Sequence, residues 1–424
     1  MEIDPPRNTR AWVLHPELKS DNARRNPVAA LEEAVALTEA MPEMEVIGSE
    51  IVTLRNVRAG VLFGKGKIAE IKASLAANDI ELVLIDGALT PVQQRNLEEE
   101  WGVKILDRTG LILEIFSDRA RTREGVLQVE MAALSYQRTR LVRAWTHLER
   151  QRGGLGFVGG PGETQIEADR RAIDEAITRL KRQLGKVVKT RELHRASRKK
   201  VPFPVVALVG YTNAGKSTLF NRLTGAKVMA KDMLFATLDP TMRSVELPSG
   251  QEIILSDTVG FISDLPTELV AAFRATLEEV LDADLVIHVR DISHPNTVEQ
   301  ARNVATILEQ LGVADDAPMI EVWNKLDLLP PEEQDALQEK AARKDDKFAI
   351  SAISGQGLDD LLAAISVALT DPKTERELLI PYAEGRKRAW LFEEGVVTGE
   401  AQNEDGFVVD VLWTARQEKQ FREM

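Results

Sequence analysis

The sequence predicts a multidomain α/β protein in four parts. We expect a small parallel α/β domain over residues 1–110, an antiparallel helical hairpin over 111–200, a mostly parallel sheet with helices on both faces over 201–370, and a small α+β domain over 371–424. Three observations predict this order. Apolar runs first alternate with helical patterns, a seven-residue apolar repeat then flanks a glycine-rich stretch, and an apolar strand later runs into a phosphate-loop motif.

The first domain alternates strands and helices. Predicted strands are AWVL (11–14), MEVIGSEIV (44–52), ELVLI (81–85) and VKIL (103–106). The helical patterns PVAALEEAVALTEA, KIAEIKASLAA and TPVQQRNLEEEW lie between them, as in a parallel sheet with crossover helices. FGKGK (63–67) resembles a phosphate loop only loosely, and we interpret it as a strand-to-helix turn. A second nucleotide pocket in this domain is the weaker alternative.

A heptad seam predicts the hairpin. The first arm has apolar residues at steps of four and three: Leu127, Met131, Leu134, Leu141, Trp145 and Leu148, with Arg138 in one slot. The second arm continues the pattern at Ile166, Arg170, Ile173, Ile177, Leu180, Leu184 and Val187, then Arg191 and His194. Folding the arms together pairs residues whose numbers sum to about 314. The pairs are Leu148 with Ile166, Trp145 with Arg170 (a candidate cation–π contact), Leu141 with Ile173, and Leu134 with Leu180.

A glycine-rich segment separates the two arms. RGGLGFVGGPGE (152–163) has six glycines in twelve residues, which stops both helices and exceeds what a helix–helix turn needs. We expect a flexible tip, on an arm of about 45–50 Å, that inserts into a partner. The alternative is an ordinary loop. Deleting residues 154–161 separates the two interpretations, since loss of a probe leaves folding intact and abolishes partner binding.

Charge and composition limit the classes of partner. The chain has a net charge of −13 and no cysteine, which excludes disulfides and thiolate metal sites. Residues 166–200 nevertheless hold twelve Lys or Arg against five Asp or Glu, which favours a polyanion partner over a solvated helix face. No run approaches the roughly 18 apolar residues of a membrane span, and no signal-peptide core is present. We expect a cytoplasmic protein that needs no membrane.

Two segments mark the later boundaries. RKKVPFPVV (198–206) contains two prolines that break the helical pattern. TDPKTERE (370–377) is interpreted as a polar linker into the last domain, where RAWLFEEGVVTGEAQ and GFVVDVLW predict strands. That last domain is short, so we expect it to pack on its neighbours.

The segment VVALVGYTNAGKST (205–218) is a strand running into GxxxxGKS, which opens a helix at Lys216. The two glycines let backbone N–H groups close on phosphates, Lys216 reaches the β and γ oxygens, and the Ser217 hydroxyl ligates Mg²⁺. The predicted ligands in this loop are Gly210, Tyr211, Thr212, Asn213, Ala214, Gly215, Lys216, Ser217 and Thr218.

The base is predicted to be guanine. NKLD (324–327) follows the strand PMIEVW, so Asp327 can accept hydrogen bonds from the guanine N1–H and exocyclic amine. Asn324 is expected to hold the base edge and the P-loop, while the stem of Lys325 covers the base plane. A further strand and loop, FAISAISG (348–355), lies beside the base. The predicted base-side residues are Asn324, Lys325, Leu326, Asp327, Ser351, Ala352 and Ile353.

Two switch segments complete the set. In FATLDPT (235–241) we expect Thr237 to close on Mg²⁺ and the γ-phosphate, with Thr241 as the competitor. In DTVG (257–260), Asp257 holds Mg²⁺ through a water and the Gly260 N–H touches the γ-phosphate. The switch residues are Phe235, Ala236, Thr237, Leu238, Asp239, Asp257, Thr258, Val259 and Gly260. The candidate catalytic residues are Lys216, Thr237 and Gly260, and the candidate metal ligands are Ser217, Thr237 and Asp257.

The residue after DTVG is Phe261, where many such switches carry a water-orienting glutamine. We interpret Phe261 as a core or switch anchor. Hydrolysis by the isolated chain is then slow, and a partner or a cation near the γ-phosphate assists it. Asn213 matches an asparagine that resembles a potassium ligand in some related GTPases; a loop-stabilising hydrogen bond is the alternative.

Residues 10–424 resemble the HflX family of translation-factor-related GTPases. GYTNAGKST, FATLDPT, DTVGFI, NKLD and SAIS match its GTPase domain, and GGPGETQIE (159–167) is close to the family's own signature outside that domain. The resemblance implies GTP hydrolysis coupled to binding of the large ribosomal subunit, with splitting or rescue of stalled ribosomes under stress. Ile353, where many GTPases carry a basic residue, and Met242, where the family often has threonine, depart from the pattern.

The resemblance and the residues together imply cofactors and partners. GTP or GDP is the ligand, Mg²⁺ the metal, and K⁺ a possible addition through Asn213. The partner is ribosomal RNA of the large subunit, contacted by the basic hairpin and its glycine loop; DNA is not expected, and the chain is expected to be a monomer. Two alternatives stay open: a GTPase that assists RNA modification or ribosome assembly, and a protein–protein signalling switch without RNA.

Overall fold

The computed structural model describes most of the chain. Described are residues 8–19, 26–151, 161–198, 203–226, 234–235, 241–263, 280–281, 283–313, 317–370 and 373–422. The chain divides into two compact units, residues 1–246 with 250–361 and residues 247–249 with 362–424. Across the described ranges, no helix has both the length and the apolar character that crossing a membrane requires.

The N-terminal sheet has four parallel strands in the order β2–β1–β3–β4. The strands are β1 Thr9–Leu18, β2 Met44–Leu54, β3 Leu82–Ile85 and β4 Lys104–Asp107. The intervening helices are α1 Pro27–Glu39, α2 Lys65–Ala77 and α3 Pro91–Trp101. The predicted alternation is confirmed. FGKGK spans the N-cap of α2 at Gly64, so it is the connection from strand to helix.

Side-chain caps determine where these helices begin. Asn26 caps α1 by accepting from the Val28 N–H at 3.0 Å, and Thr90 with Gln93 forms a reciprocal capping box at α3. Asp107 caps a further helix, α4 Arg108–Arg119, by accepting from the Gly110 N–H at 2.8 Å. These caps satisfy N–H groups that the helices leave open. The last one places Arg108 at the carboxyl edge of the sheet.

The two faces of this sheet have different partners. On one face Val83 joins an apolar core with α2 and α3. On the other face Leu84 joins a second core with α1 and with Phe116 of α4, and this core continues into the nucleotide domain through Val209 and Phe261. The N-terminal domain and the nucleotide domain therefore share one continuous hydrophobic core.

The predicted hairpin is formed by α5 Arg123–Gln151 and α6 Pro161–Arg198. Arg138 and Asp174 form an ion pair of 2.7 Å between the arms, close to the expected register. On α6, the seam residues Ile177 and Leu180 are buried. The pairings at Leu141, Trp145, Leu148 and Ile166 lie outside the described side chains.

The tip segment 152–160 lies outside the described residues. Helix α6 already begins at Pro161, so residues 161–163, predicted as loop, form its first turn. The reason is that proline is well suited to the first position of a helix, where its missing N–H has no partner to lose.

The nucleotide domain has a six-stranded sheet in the order β10–β9–β8–β5–β7–β6. Its strands are β5 Val205–Gly210, β6 Thr241–Glu246, β7 Glu252–Asp257, β8 Leu285–Asp291, β9 Met319–Asn324 and β10 Lys347–Ala349. Its helices are α7 Lys216–Thr224, α8 Thr297–Leu311, α9 Pro331–Ala342 and α10 Leu358–Ala368. Strand β6 pairs antiparallel with β7 and the other pairs are parallel. The carboxyl ends of the parallel strands meet at one edge, where ligands bind in such sheets.

The C-terminal unit has a three-stranded antiparallel sheet in the order β11–β13–β12. The strands are β11 Lys373–Pro381, β12 Val397–Gln402 and β13 Gly406–Thr414, with helices α11 Gly385–Glu393 and α12 Ala415–Arg422. Leu391, Val409, Val411 and Trp413 are buried in its core. The α+β prediction for this region is confirmed.

Two local predictions in this unit are wrong. Residues 370–377 were expected to be a polar linker, but β11 begins at Lys373 and pairs with β13 along its whole length. Main-chain pairing here outweighs a polar, charge-rich sequence. Residues 388–402 were expected to be one strand, but the first part is α11. Gly395, at φ +64°, ends that helical stretch before β12 begins.

Candidate nucleotide-binding site

The P-loop runs from β5 into α7 against the backbone of neighbouring strands. A Cβ atom on Gly210 would lie 2.2 Å from the Val289 carbonyl oxygen, and one on Gly215 would lie 2.2 Å from Asn324 Nδ2. Gly215 also has φ +91°, in the left-handed region. Both positions therefore require glycine, the first for contact with β8 and the second for contact with the NKLD loop.

Lys216 is buried at the first position of α7. Its Nζ donates to the carbonyl oxygens of Gly210, at 3.2 Å, and Tyr211, at 2.8 Å. Burial lowers the pKa of Lys216 to about 8, an effect that the Asp257 carboxylate partly offsets. This cation is poorly solvated and is held by neutral carbonyl groups. An arriving anion such as a phosphate group would therefore stabilise it.

A hydroxyl and a carboxylate meet beside this lysine. Ser217 Oγ donates to Asp257 Oδ2 at 2.7 Å, and Asp257 is fully buried at the end of β7. Hydroxyl and carboxylate oxygens are the donors that Mg²⁺ prefers. The two described members of the predicted metal site are therefore together, and their chemistry fits the metal. The third member, Thr237, lies outside the described residues.

The segment after DTVG runs alongside the P-loop. Phe261 N donates to the Gly210 carbonyl at 3.0 Å, and Thr212 N donates to the Phe261 carbonyl at 2.7 Å. A Cβ atom on Gly260 would lie 2.9 Å from Thr212 Cγ2 and 3.0 Å from Lys216 Nζ. A side chain at this point would be crowded, because the Gly260 backbone lies directly against the P-loop and its lysine.

The expected anchoring role of Phe261 is confirmed by its burial. The side chain is 1% exposed and belongs to the core shared with the N-terminal domain. Its main chain is paired with the P-loop, and its ring is packed away from solvent. The side chain at this position therefore has no means of orienting a water molecule.

Asn213 has a conformational reason to be asparagine. Its φ is +58° and its side chain is exposed. Asparagine adopts the left-handed region more readily than most residues. This geometry accounts for the residue type.

Asn324 joins three loops on the base side. Its Nδ2 donates to the Ala214 carbonyl at 2.9 Å, and its Oδ1 accepts from the Ala352 N–H at 3.0 Å. Ser351 Oγ donates to Asp327 Oδ1 at 2.5 Å. The NKLD motif, the SAIS motif and the P-loop are thus brought together by hydrogen bonds within one domain.

Lys325 is held by a residue that the sequence analysis did not identify. It has φ +70°, and its Nζ lies 2.8 Å from Asp291 Oδ2 at the end of β8. An aspartate ending an apolar strand next to the NKLD strand was an available signal. Of the neighbouring predicted residues, Leu326 is buried and Ile353 is 70% exposed.

The remaining predicted residues lie as follows. Thr258 Oγ1 donates to the Leu208 carbonyl at 2.6 Å, Val259 is in the core, and Thr218 lies in α7. Phe235 is buried with φ +57°, and its ring meets Phe116 edge-on at 4.6 Å between centroids. Residues 236–239, which include Ala236, Thr237, Leu238 and Asp239, lie outside the described residues. Thr241, the competitor of Thr237, begins β6 opposite Asp257.

A second group missed from sequence reaches the P-loop from the N-terminal domain. The Tyr211 hydroxyl donates to the carboxylate of Glu33 in α1. Arg108, at the start of α4, donates to the same carboxylate and to the Ser263 carbonyl. No local motif marks these residues, because they are separated from the P-loop by a hundred residues or more.

Four family models match successive parts of the chain. Their descriptions and ranges are GTP-binding GTPase N-terminal, residues 28–117; GTP-binding GTPase Middle Region, residues 119–198; 50S ribosome-binding GTPase, residues 205–325; and HflX C-terminal domain, residues 336–423. The third range contains the P-loop, the DTVG segment and the first two residues of NKLD. The phosphate-binding part of the site, together with Asn324, therefore lies in the range that matches a GTPase model, whereas Asp327, Ser351 and Ala352 lie beyond it.

The chain is also similar to curated proteins along most of its length. It is 46% identical to a GTPase HflX of Magnetococcus marinus, over 95% of this chain and 91% of the relative. It is 46% identical to a GTPase HflX of Escherichia coli, over 81% and 80%, and 42% identical to one of Caldanaerobacter subterraneus, over 98% and 97%. The similarity thus covers every domain, including those outside the nucleotide site.

Proposed function

The chain belongs to the HflX family of GTPases, and we propose that it is a Mg²⁺-dependent GTP switch that acts on the large ribosomal subunit. In this proposal GTP binding and hydrolysis control the splitting or rescue of stalled ribosomes. One observation supports the proposal. The residues that match a 50S ribosome-binding GTPase include the P-loop, Asp257 and Asn324, and hydrogen bonds bring these three together.

Phosphate binding is assigned to the P-loop and to Lys216. Backbone N–H groups between Gly210 and Lys216 surround the phosphates, with the N-terminus of α7 adding a favourable dipole. The Lys216 ammonium exchanges its carbonyl partners for phosphate oxygens. The N–H of Gly260 faces the γ-phosphate, so this residue distinguishes GTP from GDP.

The metal is assigned to Ser217, Asp257 and Thr237, with Asp257 acting through a water. When bound, Mg²⁺ would neutralise charge on the β- and γ-phosphate oxygens. The chain's own contribution is to hold the hydroxyl of Ser217 against the buried carboxylate of Asp257 before nucleotide arrives.

Guanine selection is assigned to the base-side group. The Asp327 carboxylate, kept in place by Ser351, accepts from two donors of guanine, while the stem of Lys325 lies over the base. Asn324 and the Ala352 backbone close the edge. Adenine lacks the two donors, so it leaves Asp327 unsatisfied and is rejected.

Hydrolysis by the isolated chain is expected to be slow. Phe261 is buried, and among the described residues the cation next to Gly260 is Lys216. We therefore propose that the water-orienting function comes from a partner or from an added ion. We assign this function to the ribosomal particle, which orders the switch segments. Potassium at Asn213 is a second contributor to test. GTP hydrolysis then times release from the ribosome.

Ribosome contact is assigned to the hairpin. Helix α6 continues to Arg198, and residues 166–200 carry a local excess of positive charge on an otherwise acidic chain. Such a strip suits a phosphate backbone and predicts binding that weakens as salt rises. By the family resemblance, we propose that the hairpin and its glycine-rich segment bind near the peptidyl-transferase region.

The test is GTP turnover by the full chain with and without purified large ribosomal subunits. We expect stimulation by about tenfold or more, because positioning and charge stabilisation dominate this chemistry. Subunit preparations contain other GTPases, so the control is Asp327→Asn assayed with xanthosine triphosphate, which those enzymes do not use.

Stimulated xanthosine triphosphate turnover by Asp327→Asn assigns the activity to this chain. Identical turnover with and without subunits contradicts the ribosomal role. Stimulation by assembly intermediates or modification enzymes alone would favour the alternative of a GTPase that assists those steps.

A further inference from the structure

We infer that Glu33 and Arg108 of the N-terminal domain are positioning residues for GTP binding and hydrolysis, because they anchor the P-loop residue Tyr211 and the segment that follows Gly260. The inference concerns regulation of the proposed switch and rests on Gly260 contacting the γ-phosphate. In this view the N-terminal domain helps determine how strongly the site distinguishes GTP from GDP.

Ser263, three residues after Gly260, is bonded at each of its polar atoms. Its N–H donates to Tyr211 Oη at 2.8 Å, and its Oγ lies 2.7 Å from the same atom. Its Oγ also accepts from Asn303 Nδ2 at 2.9 Å, and its carbonyl accepts from Arg108 Nη2 at 2.8 Å. The segment that follows Gly260 is therefore bonded to the P-loop, to α8 and to α4.

The N-terminal side of this network is a buried ion cluster. Arg108 Nη1 donates to Asp86 Oδ1 at 2.7 Å and Nη2 donates to Glu33 Oε1 at 2.5 Å. Asp86 Oδ2 lies 2.8 Å from His15 Nδ1. The arginine side chain is 5% exposed. Separating one partner from such a cluster would leave a buried charge without compensation. This cost keeps the side chains in place.

Tyr211 joins the two sides. Its hydroxyl donates to Glu33, and burial together with the nearby Glu33 carboxylate raises the pKa of Tyr211, so the hydroxyl keeps its proton. The carbonyl of the same residue accepts from Lys216 at 2.8 Å. Tyr211 thus bonds directly to both the phosphate-binding lysine and the N-terminal domain.

Two residues that follow Gly260 are anchored, and this affects the switch. Phe261 is paired to Gly210 and Thr212, and Ser263 is held by Tyr211 and Arg108. Gly260 lies immediately before these anchors, so its N–H is ordered before the γ-phosphate arrives. Without the anchors, ordering Gly260 would reduce the free energy gained on binding GTP. GDP, which lacks the γ-phosphate, would be affected much less.

The experiment compares Tyr211→Phe and Glu33→Gln with the wild-type full chain. Glu32→Gln is the matched control, with the same chemical change on the same helix at an exposed position. Affinities for GDP and for a non-hydrolysable GTP analogue are measured with single-turnover hydrolysis, all without ribosomes. This design separates failure of the inference from failure of the ribosomal proposal.

We expect both variants to lose affinity for the GTP analogue by about tenfold, the effect of one hydrogen bond to a charged group, with GDP affinity changed less than about twofold. The hydrolysis rate at saturation should fall as well, and the double variant should lose less than the two singles combined. Equal losses for both nucleotides, or lower thermal stability with an unchanged affinity ratio, would show that the network is only structural and would overturn the inference. The same two affinities measured for Arg108→Lys, which retains the charge, give a second check of the inference.

Discussion

The base side and the phosphate side of the nucleotide site are built differently. On the base side, Asn324, Asp327 and Ser351 are held by bonds among loops of one domain. On the phosphate side, the P-loop and the segment after Gly260 are also held from the N-terminal domain, by bonds that span 155 and 178 residues of sequence. Base recognition thus depends on the nucleotide domain alone, whereas phosphate sensing also depends on the N-terminal domain.

The largest expected effect is on the base side. Asp327→Asn should weaken GTP binding by a factor on the order of a thousand or more and favour xanthosine triphosphate, because the complementary hydrogen bonds are reversed. Competition titrations with the two nucleotides measure this. Thermal stability should stay close to that of the wild type, since Asp327 is exposed. Unchanged GTP affinity would show that Asp327 does not bind the base.

The next effect concerns Phe261 on the phosphate side. Phe261→Gln should lower the free energy of unfolding by about 3 kcal/mol or more, because it places an amide in a packed core. It should not accelerate hydrolysis, since the side chain is buried away from the nucleotide. Denaturant unfolding with single-turnover hydrolysis tests both. Phe261→Leu, which keeps an apolar side chain, is the control, and faster hydrolysis by a stable Gln variant would contradict this assignment.

A third effect lies in the sheet that both sides share. Burial lowers the pKa of His288 in β8 to about 4, with Arg290, Lys216 and Lys347 acting in the same direction and Glu321 opposing them. The folded-state pKa is below the unfolded value of about 6.5, so the unfolded chain binds the proton first. Stability is therefore complete above pH 6.5 and falls as pH drops toward 4, by at most about 3 kcal/mol.

Unfolding free energies of the wild type and His288→Leu at pH 7, 6 and 5 measure this effect. The wild type should lose more stability on acidification than the variant. Parallel pH profiles would show that His288 does not titrate in this way.

The smallest effect is at the hairpin. The Arg138 side chain is 45% exposed in its ion pair with Asp174, against 5% for Arg108 in its cluster. Arg138→Ala should change the free energy of unfolding by less than about 1 kcal/mol, as is usual for surface pairs. Arg108→Ala should cost several times more. Denaturant unfolding of both variants compares them, and equal costs would contradict the distinction.

The sequence was sufficient for the elements that local patterns determine. The four strands and three crossover helices of the N-terminal domain, the two arms of the hairpin and the strand-ending positions of Asp257 and Asn324 are predicted from sequence, whereas helix α4 is not. In each case apolar periodicity or a motif with strict spacing carries the information. The register near Arg138 also followed, because a seven-residue seam constrains both arms.

What could not be predicted depends on contacts between distant residues. Glu33 and Arg108 belong to no motif, and their role exists only where α1, α4 and the P-loop meet. Strand β11 has a polar sequence and forms because β13 offers it hydrogen-bond partners. Helix α11 was mistaken for a strand because a short apolar run does not distinguish the two periods.

Our proposal is that the nucleotide state, sensed on the phosphate side, controls binding to the large ribosomal subunit. Its most direct test is co-sedimentation of the full chain with purified large subunits at fixed salt, in the presence of GDP, a non-hydrolysable GTP analogue or no nucleotide. We predict that the GTP-analogue state binds at least about tenfold more tightly than the GDP state. Equal binding in all three states would contradict the account.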